Sequence, residues 1–252
     1  MIKFKCTIYF FFILTAISNA GENFRNIEIK GKLTCIISNG VPSHDIGRFP
    51  NSANPNSFKK QKLNFCFPTI PQLTEKVTWG LMTVGVSISG IPIRPYTAEY
   101  FDSNGKRGYS RNPASGWRKQ AMYLPRSLGI DQHNGHVDKS GLYHYHSVSK
   151  NKVPQRSDLL IGYAPDGFKI FYNPNKATSS WRLRSGTRTA PPGGFYSGEF
   201  EQDFEYRVQS GSLDECNGKK VDGVYTYYAT TSYPFFPRCF KGKVNLKFMV
   251  RD

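Results

Sequence analysis

Four of the five histidines of this 252-residue chain are gathered between positions 133 and 146: His133, His136, His144 and His146. His144 and His146 are two residues apart in a segment with the composition of a strand, so their side chains should point to one face of it, about 6.6–6.8 Å apart. Two imidazoles placed in this way can bind one metal ion at about 2.0–2.1 Å. We therefore predict a metal site that contains His144 and His146 and is completed by His133 or His136.

An Asn134-Gly135 turn precedes this strand and should fold His133 and His136 back toward it. Asp131 and Asp138 are near enough in the sequence to be ligands or to orient an imidazole ring. Imidazole-rich sites suit zinc, copper, nickel or iron, whereas calcium and magnesium take oxygen ligands. Of these ions we predict zinc or copper. Ligand histidines must be neutral, and metal affinity should fall below about pH 6. The alternative is that the histidines are hydrogen-bonded within a tyrosine-rich core, or form a pH-sensitive patch.

The histidine segment is the first copy of an internal repeat. Residues 131–145 and 214–227 share the pattern D-x-x-N-G, a short gap, and G-x-Y-x-Y. Asn-Gly favours a tight turn, the aspartate can accept hydrogen bonds from amides across it, and the alternating tyrosines point to one side of the next strand. The shared pattern thus predicts a turn and a strand, with the four histidines outside the pattern. At the histidine positions the second copy has Cys216, Lys219, Thr226 and Tyr228.

Strand signals dominate the rest of the chain. Residues 77–93 are rich in β-branched residues interrupted by glycine, and residues 159–172 have the pattern of two strands around a Pro165-Asp166-Gly167 turn. Residues 244–250 alternate apolar and polar side chains, which predicts a further strand. No segment has the apolar periodicity and caps of a long helix. We therefore predict an all-β or β-rich fold, an antiparallel sandwich or barrel-like single domain with long loops at residues 50–61 and 185–198.

Asp166 is the one carboxylate outside the histidine segment that the sequence singles out for chemistry, as a candidate catalytic base aimed at the metal site. Its A-P-D-G turn also explains the aspartate without any catalytic role. The sequence has no G-x-S-x-G, H-E-x-x-H, P-loop or dinucleotide-binding motif. No reaction can therefore be assigned from the sequence, although a metal with one open coordination position would permit catalysis.

The first twenty residues have the three parts of a secretory signal peptide. Lys3 and Lys5 form a basic start, residues 9–17 are almost entirely apolar, and the small residues Ser18 and Ala20 precede the expected cleavage point. The apolar run is shorter than the ~20 residues of a transmembrane helix. We expect an extracellular protein with a signal peptide at residues 1–20, a lead-in at residues 21–32, one β-rich domain at residues 33–252, and no transmembrane segment in the mature chain.

Four cysteines follow the predicted signal peptide: Cys35, Cys66, Cys216 and Cys239. An even number in an exported protein favours disulfides, and three pairings are possible. Proximity in the sequence favours Cys35–Cys66 and Cys216–Cys239. A four-cysteine metal site is disfavoured because the chain has no C-x-x-C pair.

The chain is strongly basic, with 34 lysines and arginines against 18 aspartates and glutamates. Its net charge of +16 predicts attraction to polyanions or anionic surfaces, and for an exported protein we expect acidic glycans and not nucleic acid. The alternative function is an extracellular binding or matrix protein whose basic surface holds such glycans and whose histidines are purely structural. A generally soluble basic surface explains the same charge.

Residues 143–146 read YHYH, and their surroundings resemble the YHYH-domain family of secreted and lipoprotein-like proteins. The similar segments, in order, are residues 38–44, 54–56, 84–93, 131–146, 161–168, 213–218 and 233–242. The resemblance implies a module and not a particular reaction. It adds His44 as a candidate ligand, because His44 ends a family-like N-G-x-P-x-H segment. It also implies a cysteine where this chain has His133, which is then either a gained ligand or the trace of a lost disulfide partner.

Overall fold

The computed structural model of the protein describes residues 21–149 and 158–251. This part of the chain is β-rich, with several mostly antiparallel sheets, no closed barrel and only short 3-10 helices. The β-rich antiparallel fold predicted from the sequence is confirmed. The predicted signal peptide at residues 1–20 lies outside the described residues.

Strands of two to seven residues alternate with turns along the described chain. In order they are β1 (Arg25–Lys30), β2 (Leu33–Ser38), β3 (Leu63–Pro68), β4 (Leu73–Trp79), β5 (Gly85–Ser87), β6 (Pro92–Ile93), β7 (Tyr96–Phe101), β8 (Tyr109–Ser110), β9 (Arg118–Gln120), β10 (Gly135–Val137), β11 (Tyr143–Tyr145), β12 (Leu159–Tyr163), β13 (Lys169–Tyr172), β14 (Trp181–Leu183), β15 (Phe204–Tyr206), β16 (Gly218–Val221), β17 (Val224–Ala229), β18 (Cys239–Gly242) and β19 (Met249–Arg251). The 3-10 helices are Lys106–Gly108, Pro113–Ser115, Pro125–Leu128 and Glu201–Asp203. No helix within the described ranges has the length and apolar character needed to cross a membrane.

An eight-stranded sheet forms the centre of the structure, in the order β10-β11-β6-β5-β12-β13-β17-β16. Most of its pairings are antiparallel, as predicted, and the two strands expected around the Pro165-Asp166-Gly167 turn are β12 and β13. Two pairings, β11 with β6 and β13 with β17, are parallel. These parallel pairings attach the two outer hairpins, β10–β11 and β16–β17, to the middle of the sheet.

The hairpin β10–β11 is the first copy of the repeat and lies at one edge of this sheet. The Asp131 carboxylate accepts hydrogen bonds from the backbone N–H groups of His133 (2.9 Å) and Gly135 (3.1 Å). The Tyr143 hydroxyl donates to the same carboxylate at 2.9 Å. Asn134 adopts the left-handed conformation that the turn requires, with φ of 58°. A Cβ atom on Gly135 would lie 2.3 Å from the Tyr143 ring, so only glycine fits there.

The hairpin β16–β17, at the opposite edge, repeats this arrangement. The Asp214 carboxylate accepts from the backbone N–H groups of Cys216 (3.0 Å) and Gly218 (2.9 Å). The Tyr225 hydroxyl donates to it at 2.8 Å, and Asn217 has φ of 60°. The predicted turn-and-strand pattern is therefore confirmed in both copies as a structural element.

Two disulfides stabilise the fold, and both predicted local pairings are confirmed. Cys35 and Cys66 form a directly opposed pair between β2 and β3. The second bridge connects the turn before β16, which contains Cys216, to Cys239 in β18. This second bridge lies in the largest hydrophobic core, together with Ile170, Tyr227, Phe236 and Phe240.

The strand predicted at residues 244–250 is mostly wrong. Asn245 forms a turn there, because its carbonyl oxygen accepts from the Phe248 amide and its side chain accepts from the Lys247 amide. Leu246 is consequently 80% exposed, Phe248 packs into a second core, and only Met249–Arg251 forms a strand. The segment predicted as a lead-in, residues 21–32, contains β1, which pairs with β2 along its whole length.

Candidate metal centre

The hairpin β10–β11 brings three of the predicted histidines together. His136 in β10 pairs in register with His144 in β11, and His146 directly follows the end of β11. One ligand nitrogen from each of the three side chains lies within 4.8 Å of the other two. His144 and His146 share a strand face because they are two residues apart, and His136 joins that face because directly opposed residues in a ladder project to the same side.

Each of these imidazoles directs its Nδ1 atom toward a backbone carbonyl oxygen. The three pairs are His136 with Leu128 (3.0 Å), His144 with Leu142 (3.2 Å) and His146 with Pro95 (3.4 Å). A carbonyl oxygen only accepts hydrogen bonds, so the Nδ1 atoms donate and the Nε2 atoms of the neutral rings carry lone pairs. The Nε2 atoms of His136 and His146 nevertheless lie 3.1 Å apart. Two nitrogens that bind one tetrahedral ion at ~2.0–2.1 Å are separated by about 3.3 Å, which is close to this spacing.

Burial keeps the three imidazoles neutral. His144 and His146 are 5% and 1% exposed, and this burial lowers the pKa of both rings well below the ordinary value of 6.5. Burial also lowers the pKa of His136, against smaller opposing effects from the Leu128 carbonyl and nearby carboxylates. Burial therefore disfavours an extra proton between the Nε2 atoms of His136 and His146, because that proton would make the pair of rings positively charged. Neutral imidazole is the form that binds metal ions.

The three histidines open onto a cleft of about 480 Å³. Its other charged and aromatic lining residues come from the end of β6, from β7, from the following turns and from the loop after β10: Arg94, Tyr96, Glu99, Arg107, Arg111, Asp138 and Lys139. The histidine cluster thus borders a space large enough for a small ligand.

Arg94 and Asp138 form an ion pair in the wall of this cleft, with Nη1 and Oδ2 3.0 Å apart. The backbone N–H of Arg94 donates to the carbonyl oxygen of Tyr145 at 2.9 Å, which holds Arg94 beside the histidine strand. The second oxygen of Asp138 accepts from the backbone N–H of Ser140 at 2.8 Å. Asp138, predicted as a ligand or a residue that orients an imidazole, therefore positions Arg94. Sequence reasoning missed Arg94, because a single arginine after a short strand gives no signal.

The other predicted ligands lie apart from the three-histidine cluster. Tyr145 points to the opposite face of β11, where its hydroxyl is 2.7 Å from Nε2 of His44. His44 in turn packs against His133, with ring centroids 3.9 Å apart, and Nδ1 of His133 is 3.0 Å from the Ser149 hydroxyl. The Asp131 carboxylate accepts hydrogen bonds from the His133 amide and the Tyr143 hydroxyl, as part of the repeat. The structure therefore groups His136, and not His133, with His144 and His146.

Asp166, the candidate catalytic base, is fully buried and is not among the residues that line the histidine cleft. Its Oδ2 atom accepts from the Tyr227 hydroxyl (2.7 Å) and from the backbone N–H of Gly242 (3.0 Å). Burial raises the pKa of Asp166 to about 6, although these hydrogen bonds oppose the shift. The carboxylate thus connects the β12–β13 turn to β17 and β18, which matches the turn interpretation.

The Asp166 side chain should give the folding stability a pH dependence. Its folded pKa of about 6 exceeds the unfolded value near 3.9, so its contribution to stability is present below pH 4 and is lost as pH rises through 6, by about 3 kcal/mol. We expect the free energy of unfolding of the Asp166→Asn variant, measured by denaturant titration, to lack this decrease between pH 4.5 and 7.5. The control is Asp222→Asn at an exposed turn position. An unchanged pH profile in Asp166→Asn would contradict the assignment.

Comparison with known proteins gives one match. A sequence model described as YHYH protein matches residues 64–242, well over half of the chain, and this range includes both hairpins and most of the residues that line the cleft. No curated protein and no solved structure matches the chain.

Proposed function

This chain belongs to the YHYH family, and from the geometry of its histidine hairpin we propose that it is a metal-binding protein with His136, His144 and His146 as the ligands. The observation that carries the proposal is the orientation of the three rings, whose Nδ1 atoms face backbone carbonyls while their ligand nitrogens converge. Imidazole ligands favour zinc or copper, and these are the proposed ions.

The second copy of the repeat supports a ligand role for the histidines. The first hairpin pairs His136 with His144, and at the equivalent position the second hairpin pairs Lys219 with Thr226. The same turn and the same aspartate–tyrosine hydrogen bond form there without any histidine. The histidines of the first copy are therefore dispensable for forming the hairpin, which weakens the purely structural alternative.

The number of ligands favours an open metal centre. Structural zinc sites have four protein ligands, whereas catalytic sites have three and keep one position for water or substrate. Within the described residues these three side chains are the only group of three or more ligand side chains close enough together to hold a metal ion, and they border a cleft. An ion bound there would supply Lewis acidity and would lower the pKa of a bound water molecule. We propose a centre of this open type.

Export from the cell is part of the proposal. The features that support it are the signal-like composition of residues 1–20, which lie outside the described residues, and the two disulfides. In an extracellular setting the net charge of +16 supports contact with acidic glycans as a general property of the surface.

Purified protein without a histidine tag should bind one zinc or copper ion per chain in isothermal titration at pH 7.5. Elemental analysis of the protein as isolated provides an independent measure of the stoichiometry. Because the ion binds the folded chain, a free concentration of 100 times Kd should raise the free energy of unfolding by about 2.7 kcal/mol. The matched control is the His144→Ala/His146→Ala variant. Equal titration heats for the two proteins would overturn the proposal.

A further inference from the structure

The cleft beside the three histidines has an excess of positive charge. Both carboxylates in its lining are paired with cations: Asp138 with Arg94 at 3.0 Å and Glu99 with Lys119 at 3.1 Å. The lining also contains Arg107, Arg111 and Lys139, which are exposed and form no ion pair within the described residues. A bound divalent ion would add two further positive charges. A cleft of this kind attracts anions and disfavours cations.

Arg94 is the cation built most firmly into this cleft. Its backbone N–H is hydrogen-bonded to the strand between His144 and His146, through the carbonyl oxygen of Tyr145. Asp138 holds the guanidinium from one side and is itself fixed by the Ser140 amide. A guanidinium presents its donors on a rigid planar fork that matches carboxylate and phosphate oxygens. The side of the cleft that carries the three proposed metal ligands thus also carries an arginine held in a fixed position.

We propose that the cleft binds a small molecule through an oxyanion group, a carboxylate or a phosphate, with one oxygen at the open position of the metal and another on Arg94. The inference rests on the proposed metal centre. Arg107, Arg111 and Lys139 surround the same space and supply longer-range attraction. The volume of about 480 Å³ leaves room for an organic body attached to the anionic group.

Cobalt(II) is the probe for this inference, because its visible absorption changes when a ligand binds to the metal. The cobalt-loaded protein is titrated separately with acetate, phosphate and sulfate, and with neutral acetamide as the uncharged counterpart of acetate. We expect a saturable spectral change with at least one of the anions and none with acetamide. The ranking of acetate against phosphate distinguishes a carboxylate ligand from a phosphate ligand.

Arginine variants test the position of the anion. Arg94→Gln should weaken anion binding by about tenfold to a hundredfold, which is the effect of one hydrogen bond to a charged group. Arg94→Lys should weaken it by less. Arg107→Gln/Arg111→Gln should give a smaller loss that disappears at high salt, because these residues are exposed. Arg48→Gln, an exposed residue outside the cleft lining, is the control. Cobalt affinity is measured for every variant, so that anion affinities are compared at full metal loading.

The outcomes separate the two proposals. If cobalt does not bind the wild-type protein, the metal centre fails and this inference fails with it. If cobalt binds but none of the anions changes its spectrum, only the inference is overturned. It is also overturned if Arg94→Gln binds the anion as tightly as Arg48→Gln does.

Discussion

His144→Ala is expected to weaken zinc binding by two to three powers of ten. Apparent binding free energies of structural zinc sites, roughly 10–16 kcal/mol over four ligands, correspond to about 3–4 kcal/mol for each ligand. A difference of about 1.4 kcal/mol is tenfold in affinity. His144 contacts both other ligands, because it pairs with His136 across the ladder and shares a strand face with His146. Competition with a chromophoric chelator at pH 7.5 gives the dissociation constants.

His133→Ala and His44→Ala are the matched controls, because these two rings pack against each other and lie outside the cluster of three. We expect both to retain zinc affinity within about threefold, since neither loses a ligand. Thermal melts without metal show whether each variant folds, and His136→Ala, at a less buried position, provides a second test of the cluster. A loss in His133→Ala as large as that in His144→Ala would contradict the proposed ligand set.

The alternation of side chains along β11 made part of the site predictable. His144 and His146 had to share a face if the segment was a strand, and the structure places both rings in one cluster. The turn and strand of the repeat were equally predictable, because Asn-Gly and the alternating tyrosines specify local geometry. The first aspartate of each copy then completes the turn through hydrogen bonds within the same few residues.

The choice between His133 and His136 depended on the register of the hairpin, which the spacing alone does not determine. A one-residue change of register moves every side chain to the other face. In the structure Gly135 lies opposite Tyr145, so His136 faces His144 and His133 remains in the turn. The family resemblance implied a cysteine at the position of His133. The second copy of the repeat has a cysteine at the matching position, Cys216, and this cysteine forms a disulfide.

The cleft was not predictable because it is formed by segments distant in the sequence. Arg94 reaches the histidines only through the parallel pairing of β6 with β11, which a pattern of alternating residues does not reveal. Tyr96 lies in β7 and contributes to the same cleft. Its ring packs against the guanidinium of Arg238, a residue from the opposite end of the chain. Long-range contacts of this kind decide the chemical environment of the site.

Arg238 packs against Tyr96 of the cleft and is nearly completely buried, and its charge is balanced by one buried carboxylate. Its Nη1 atom is 3.3 Å from Oε2 of Glu201, and its guanidinium lies 4.3 Å from the Tyr96 ring centroid. The Tyr233 hydroxyl donates to the same Glu201 oxygen at 3.0 Å. Burial raises the pKa of Glu201 while the Arg238 charge opposes this shift, so the carboxylate depends on its partner.

Arg238→Met should therefore reduce the free energy of unfolding by about 3–5 kcal/mol at pH 7.5, because it leaves the Glu201 carboxylate buried without a counter-charge. The loss should be smaller at pH 5, since protonation of Glu201 removes the uncompensated charge and its folded pKa is raised. Denaturant titration at the two pH values measures both effects. The pair of exposed Arg207 and half-buried Glu205 provides the control, and Arg207→Met should cost at most about 1 kcal/mol.

The double variant Arg238→Met/Glu201→Gln separates the charge from the packing. If the uncompensated carboxylate causes the loss, the double variant should recover most of it, because no buried charge remains and the Tyr233 hydroxyl can still donate to the glutamine oxygen. If the lost contact with the Tyr96 ring is the cause, the double variant should be no more stable than Arg238→Met. That second result would contradict the electrostatic explanation. It would also show that Arg238 stabilises the fold chiefly by stacking on aromatic rings.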